Sequence, residues 1–147
     1  MNRTAIFPGS FDPMTIGHLA LLRRATKLFD KVIVAVGINS DKKSFMPVEE
    51  RLERIRRAVA EMENVEVTSY TGLTTDLCRE VGAGYILRGV RNALDYEYER
   101  NIADINRHIA PEIETVLLFA EPEYAAISSS MVRELARFGK DCECLIA

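Results

Sequence analysis

The residues able to do polar chemistry stand in four short segments, and each suits phosphate. The first is Pro8-Gly9-Ser10-Phe11-Asp12-Pro13-Met14-Thr15-Ile16-Gly17-His18, a loop with two prolines and two glycines that opens into a helical pattern. Gly17 and His18 fall at the helix start, where free N–H groups and the helix dipole favour an anion. His18 either donates a hydrogen bond to a phosphate oxygen there or merely caps the helix. The second segment is Asn39-Ser40-Asp41-Lys42-Lys43, whose lysines either reach into a cleft or stand on a solvated loop. The third is Arg88-Gly89-Val90-Arg91. An arginine fork matches phosphate oxygens; the competing use is an ion pair with Asp95, Glu97 or Glu99. The fourth is Ile127-Ser128-Ser129-Ser130-Met131-Val132-Arg133. One serine suffices to cap a helix, so three offer spare hydroxyls beside another set of free N–H groups.

The elements that must position these segments alternate along the chain. Short apolar runs at Thr4 to Phe7, Val32 to Val36, Val65 to Val67, Tyr85 to Leu87 and Val116 to Phe119 predict five strands. Continuous rather than alternating apolar runs suit strands covered on both faces. Between them, Leu21, Leu22, Ala25, Leu28 and Phe29 keep helical spacing, as do Leu52, Ile55, Ala58, Val59 and Met62. Leu94, Tyr98, Ile102, Ile105 and Ile109 mark a longer helix stopped by Pro111. Shorter helices are predicted over Thr75 to Val81 and from Ser129 to Phe138, each ended by glycine. Right-handed crossovers turn this alternation into an α/β fold with a doubly wound parallel sheet. Ligands in such sheets bind beyond the C-terminal strand ends, where strand order reverses. Each of the four segments follows a predicted strand, so all four are expected to face one cleft.

The chain has 147 residues, 48% of them hydrophobic and 28% charged, which fits a single domain over residues 1–147. A net charge of −3 argues against a broad nucleic-acid surface but leaves room for a local basic pocket. No apolar run approaches the roughly 20 residues of a membrane span. Met1 to Ile6 lacks the apolar core of a secretory signal, so no membrane association and a cytoplasmic location are expected. Three cysteines, an odd number with no C-x-x-C pair, argue against a disulfide framework. Cys78 reads as a small buried residue and His108 as structural. G-x-x-x-x-G-K-[ST], an opening G-x-G-x-x-G and G-x-S-x-G are all missing, which disfavours a P-loop kinase, a dinucleotide dehydrogenase and a serine hydrolase.

Thr15-Ile16-Gly17-His18 resembles the T/H-x-G-H signature of the nucleotidylyltransferase superfamily. The wider set is similar, in order and spacing, to the bacterial phosphopantetheine adenylyltransferases: Pro8 to Pro13, Lys42, Arg88-Gly-Val-Arg91, Asp95-Tyr-Glu-Tyr-Glu99, Asn106-Arg-His108 and Ile127-Ser-Ser-Ser130. The likeness runs from about Arg3 to Arg137. It implies a Rossmann-like nucleotidylyltransferase fold and transfer of AMP from ATP to 4′-phosphopantetheine, giving dephospho-CoA and pyrophosphate. It further implies Mg²⁺ and a homohexamer, a dimer of trimers. By matching position, Ser10, Lys42, Thr74 and Arg88 would contact phosphopantetheine. Ser10, Phe11, His18, Gly89, Val90, Arg91, Glu99, Tyr124, Ala125, Ala126, Ile127, Ser128, Ser129 and Ser130 would contact ATP. His18, Lys42 and Arg91 would carry catalysis, with His18 stabilising the transition state. No metal ligand is assigned to the protein.

The chain departs from the family pattern in places. Ser10 stands where threonine is common, with the hydroxyl kept; Ile16 replaces a frequent asparagine; Tyr124 stands where tryptophan is often seen; and the sequence stops at Ala147, about a helix short of many relatives. Two other functions compete with this one. A nucleotidylyltransferase acting on another small phosphate, such as nicotinamide mononucleotide or glycerol 3-phosphate, would share the ATP side. A non-catalytic nucleotide-binding module would need no acceptor side.

Overall fold

The structure, a computed structural model, describes residues 2–147. Five strands form one wholly parallel sheet: β1 (Thr4–Gly9), β2 (Lys31–Gly37), β3 (Val65–Tyr70), β4 (Tyr85–Val90) and β5 (Glu114–Phe119). Their spatial order is β3-β2-β1-β4-β5, so the winding reverses between β1 and β4. Five helices connect and follow them: α1 (Ile16–Leu28), α2 (Val48–Ala58), α3 (Thr74–Val81), α4 (Ala93–Ile109) and α5 (Ser129–Arg137). This is the doubly wound α/β arrangement that the apolar runs predict.

The period of two along a strand divides the core. Ala5 and Phe7 of β1 join Val32, Val34 and Val36 of β2 against Leu22 of α1 and Leu52 and Ile55 of α2. Their neighbours Ile6, Ile33, Ala35 and Ile86 face the other way, onto Leu77 and Cys78 of α3 and onto Ala110 and Ile113. Burial on both faces explains why β1 and β2 read as continuous apolar runs.

Helix ends follow their sequence signals. Asn92 caps α4 by accepting from the Asp95 N–H at 3.0 Å. Ser128 caps α5 by accepting from the Met131 N–H at 3.1 Å. Gly82 ends α3 with φ of +73°, a left-handed conformation that costs glycine little.

Two differences from the sequence expectation bear on function. First, the strands outrun their apolar cores. Arg88, Gly89 and Val90 are the last residues of β4, paired with Leu117, Leu118 and Phe119 of β5, not a loop after it. The ladder continues because backbone groups, not side-chain polarity, make its bonds. Second, α4 is poorly covered. Of its residues Glu99 alone is buried, while Leu94, Tyr98 and Ile105 are 78%, 63% and 62% exposed. The apolar stripe that marks this helix in the sequence therefore points largely away from the core of its own chain.

Among the described residues no helix is long and apolar enough to cross a membrane. The three cysteines are free, Cys78 and Cys142 buried and Cys144 exposed. Burial pushes the Cys78 thiol up to about 11, which keeps it protonated and inert.

Candidate active site

The ladder between β1 and β4 covers only the pairs Ala5–Tyr85 and Ile6–Ile86. Beyond it stands Pro8, which has no N–H to extend the pairing. The strands part there, at the reversal of winding, and a crevice opens. It holds two cavities rather than one. The first, about 290 Å³, is lined by Gly9, Ser10, Phe11, Thr15, Gly17, His18, Arg88, Gly89, Arg91, Asp95, Glu99, Tyr124 and Ile127 to Ser130, among others. The second, about 320 Å³, is lined by Ser10, Gly37, Asn39, Tyr70, Thr74, Arg88, Glu99, Ile102 and Asn106, among others. Pro8, Gly9, Ser10, Arg88 and Glu99 border both and form the wall between them.

His18 is fixed by the start of α1. Thr15 is the N-cap, its hydroxyl accepting from the His18 backbone N–H at 3.3 Å. In return the Thr15 backbone N–H donates to His18 Nδ1 at 2.9 Å. A backbone N–H can only donate, so Nδ1 is an acceptor and the neutral ring carries its proton on Nε2. Phe11 packs its ring edge-on against the imidazole, centroids 5.2 Å apart. Burial first, then the positive charges of Arg88 and Arg91, push the His18 pKa down to about 4. At neutral pH His18 is thus an uncharged donor locked in one tautomer.

Arg88 is set by a buried carboxylate. Glu99, only 5% exposed, takes a two-pronged contact from the guanidinium, at 2.9 Å from Nε and 2.6 Å from the second fork nitrogen. The remaining nitrogen donates to the Pro8 carbonyl. The ion-pair reading of the arginine segment thus holds for Arg88, with Glu99 as partner, while unpaired N–H groups remain on both terminal nitrogens. Arg91 is held similarly, by Asp95 at 3.2 Å from Nε, and the same carboxylate accepts from the Arg91 backbone N–H at 3.0 Å.

The serines divide their work. Ser128 caps α5, Ser129 donates its hydroxyl to the Pro13 carbonyl at 2.7 Å, and Ser130 accepts from Arg133 at 3.1 Å. Tyr124 reaches the first cavity from a single 3₁₀ turn, Pro122–Tyr124. Val90 is buried beside this lining, and Ala125 and Ala126 continue the chain past the turn without joining it. Thr74, in the first turn of α3, shares a 2.8 Å hydrogen bond with the Tyr70 hydroxyl in the second cavity.

Lys42 stands apart. It lies on the exposed loop between β2 and α2, outside the lining of both cavities, although its neighbour Asn39 lines the second. Asp12 turns away from the crevice, its carboxylate accepting from the Phe45 and Met46 N–H groups at 2.7 and 2.8 Å. Sequence reasoning passed over Arg133, which lines the first cavity and donates to the Asp12 carbonyl at 2.8 Å. Its spacing of three from Ser130, within the first turns of one helix, was the available signal. Tyr70 and Ile102 gave no signal, because only the fold brings them to the second cavity.

Among the described residues no group of three or more His, Cys, Asp and Glu side chains could hold a metal. The two carboxylates facing the first cavity, Asp95 and Glu99, are each engaged by an arginine.

The reversal point of a doubly wound parallel sheet, where α/β domains commonly bind their ligands, here brings together a neutral histidine, two tethered arginines and a helix N-terminus. The comparisons with known proteins narrow the class of α/β domain. Residues 6–135 match the family model described as cytidylyltransferase-like. Phosphopantetheine adenylyltransferase of Phocaeicola vulgatus is 51% identical over 139 residues, covering 95% of this chain and 91% of that protein. The same-named protein of Levilactobacillus brevis is 46% identical over 142 residues, covering 97% and 88%. In fold, the chain is similar to the bifunctional NMN adenylyltransferase/ADP ribose pyrophosphatase of Francisella tularensis, with a TM-score of 0.75 at 15% identity. That match covers 99% of this chain and 45% of the other. The chain belongs to the cytidylyltransferase-like family and, within it, to the phosphopantetheine adenylyltransferases.

Proposed function

We propose that this chain transfers AMP reversibly from ATP to 4′-phosphopantetheine, giving dephospho-CoA and pyrophosphate. The observation that carries the reading is the pair of cavities meeting at Ser10, Arg88 and Glu99. A nucleotide binder needs one chamber; a transferase needs two that touch. ATP fills the first, with its β- and γ-phosphates toward Arg91 and the start of α5 at Ser129 and Ser130. Phosphopantetheine fills the second, its arm running past Thr74 and its phosphate at the dividing wall.

The acceptor phosphate has a second pKa near 6, so it is largely a dianion at neutral pH and needs no protein base. One of its oxygens attacks the α-phosphorus, the bond from that phosphorus to the bridging oxygen breaks, and pyrophosphate leaves with the electron pair. The obstacle is the approach of two anions. Arg88 and, closing in from its loop, Lys42 offset charge on the acceptor. His18 donates from Nε2 to the α-phosphate oxygens, where charge grows as the reaction proceeds. A neutral donor suits this task, since it neither titrates with substrate nor repels the arginines beside it. The work is positioning and electrostatic stabilisation.

Among the described residues no cluster of ligating side chains stands ready for Mg²⁺, and the carboxylates of Asp95 and Glu99 are paired with arginines. Mg²⁺, bound together with ATP, would supply positive charge to offset the phosphates, with Arg88, Arg91 and His18 as the chain's own contribution beside it. We also assign the chain to the cytoplasm, and to a homohexamer, a dimer of trimers, in which the exposed stripe of α4 is covered by other copies.

The test is incubation with ATP, Mg²⁺ and 4′-phosphopantetheine while pyrophosphate and dephospho-CoA are measured. The two are expected in equal amounts. ATP binding without either product would remove this acceptor.

A further inference from the structure

Among the described residues, the buried charge with the most hydrogen bonds lies outside both cavities. Arg51, in the first turn of α2, is 4% exposed. Its Nε donates to the Met46 carbonyl at 3.1 Å, one fork nitrogen to the Ser10 carbonyl at 2.8 Å and the other to the Ser44 hydroxyl at 3.2 Å. Its charge is met by Asp12, 4.0 Å away and itself buried. Asp12 in turn accepts from the N–H groups of Phe45 and Met46. Two loops distant in sequence, 10–12 and 44–46, are thereby tied through one ion pair.

Each loop leads to proposed chemistry. Phe11, between the two tethered residues, has φ of +47°, a strained conformation for a bulky side chain. Its ring rests edge-on against His18, so the Ser10–Asp12 turn also fixes the imidazole's neighbour. The second loop carries Lys42 two residues before Ser44. A buried ion pair is weak grounds for stability, since apolar residues of like size often serve as well. Three acceptors spread around the edge of the guanidinium use its wide, rigid fork, a spacing that the compact ammonium of a lysine does not reproduce.

We infer that Arg51 is a positioning residue: it clamps the Lys42 loop to the Ser10–Asp12 turn and so sets the acceptor side of the site. The catalytic half of this inference rests on the function proposed above; the clamp itself does not.

Arg51→Lys keeps the charge and loses the fork, and two measurements on it separate those halves. Limited trypsin digestion, followed by mass spectrometry of the peptides ending at Lys42 and Lys43, reads opening of the loop. Cleavage there is expected to speed up at least tenfold. Steady-state kinetics are expected to show kcat/KM for 4′-phosphopantetheine at least tenfold lower, while the Kd of a non-hydrolysable ATP analogue changes less than threefold. Unchanged cleavage and unchanged kcat/KM would overturn the inference. So would a parallel loss of all constants together with a lowered Tm, which is what a merely structural arginine predicts. If the wild-type chain makes no dephospho-CoA, the proposed function fails, yet the cleavage arm still decides the clamp. Should Arg51→Lys not fold, Ser44→Ala, at an exposed position, removes one of the three contacts. It is expected to raise cleavage at least threefold, and no change there would count against the clamp.

Discussion

His18 sits in a cage made by its own helix cap, and that cage decides how it works. Replacing it with alanine removes a donor aimed at growing charge. Turnover is expected to fall about 10²–10³-fold, the usual loss for such a donor, while the KM for ATP moves only a few-fold. A loss confined to KM would place the contact in the ground state instead. The depressed pKa makes a second prediction. Folded, the imidazole takes a proton only near pH 4; unfolded, it does so near its ordinary 6.5. Between those values the unfolded chain binds the extra proton, so this contribution to stability is complete above about pH 6.5 and is lost as pH falls toward 4. NMR titration of the ring should give the low midpoint, and Arg91→Ala should raise it by removing a positive neighbour. At this scale the sequence showed residue types and places in the chain but not partners. The spacing of Thr15 and His18 was visible, and with it the cap. That Arg88 answers to Glu99 rather than to Asp95 or Glu97 was not, because the choice depends on which side of α4 faces β4.

Elements were legible where burial writes a pattern and less so where it does not. The β-branched run Val32 to Val36 could hardly be anything but a covered strand. The polar ends of β1 and β4 read as loops because their ladder is made by backbone groups, which leave no mark on composition. That misreading mattered, since Gly89 lies inside a strand, beneath α1. A Cβ placed there would come within 2.7 Å of Leu21 Cδ1. Leu21 is buried in the core but also borders the first cavity, so relief of the contact means turning its side chain toward that space. Gly89→Ala is expected to cost about 1–3 kcal/mol, the usual penalty for overpacking, as measured by urea unfolding. In a Leu21→Ala background, itself destabilised by the lost core side chain, Gly89→Ala should cost less than in the wild type, and simple addition of the two single effects would show that the contact is not the cause.

At the scale of the whole molecule the doubly wound parallel sheet was readable from the alternation of elements, but the order of its strands and the division of the crevice were not. Four segments were expected to share one cleft; the structure gives them two chambers and leaves Lys42 on the loop outside. The exposed face of α4 is the other feature that one chain does not explain. If other copies cover it, Leu94→Glu combined with Ile105→Glu should give smaller particles in sedimentation with helix content retained, whereas an unchanged sedimentation coefficient would move the interface elsewhere. The wall between the chambers carries the last consequence. Arg88 and Glu99 face both sides, so an occupant of either chamber alters the field and the hydrogen bonds that the other meets. Binding free energies must then be reciprocal: the factor by which the first ligand changes the affinity of the second equals the factor in the opposite direction. Calorimetry with an ATP analogue and 4′-phosphopantetheine, titrated in both orders, should return one number twice. Glu99→Gln should move that number toward unity, leaving two chambers that fill as strangers.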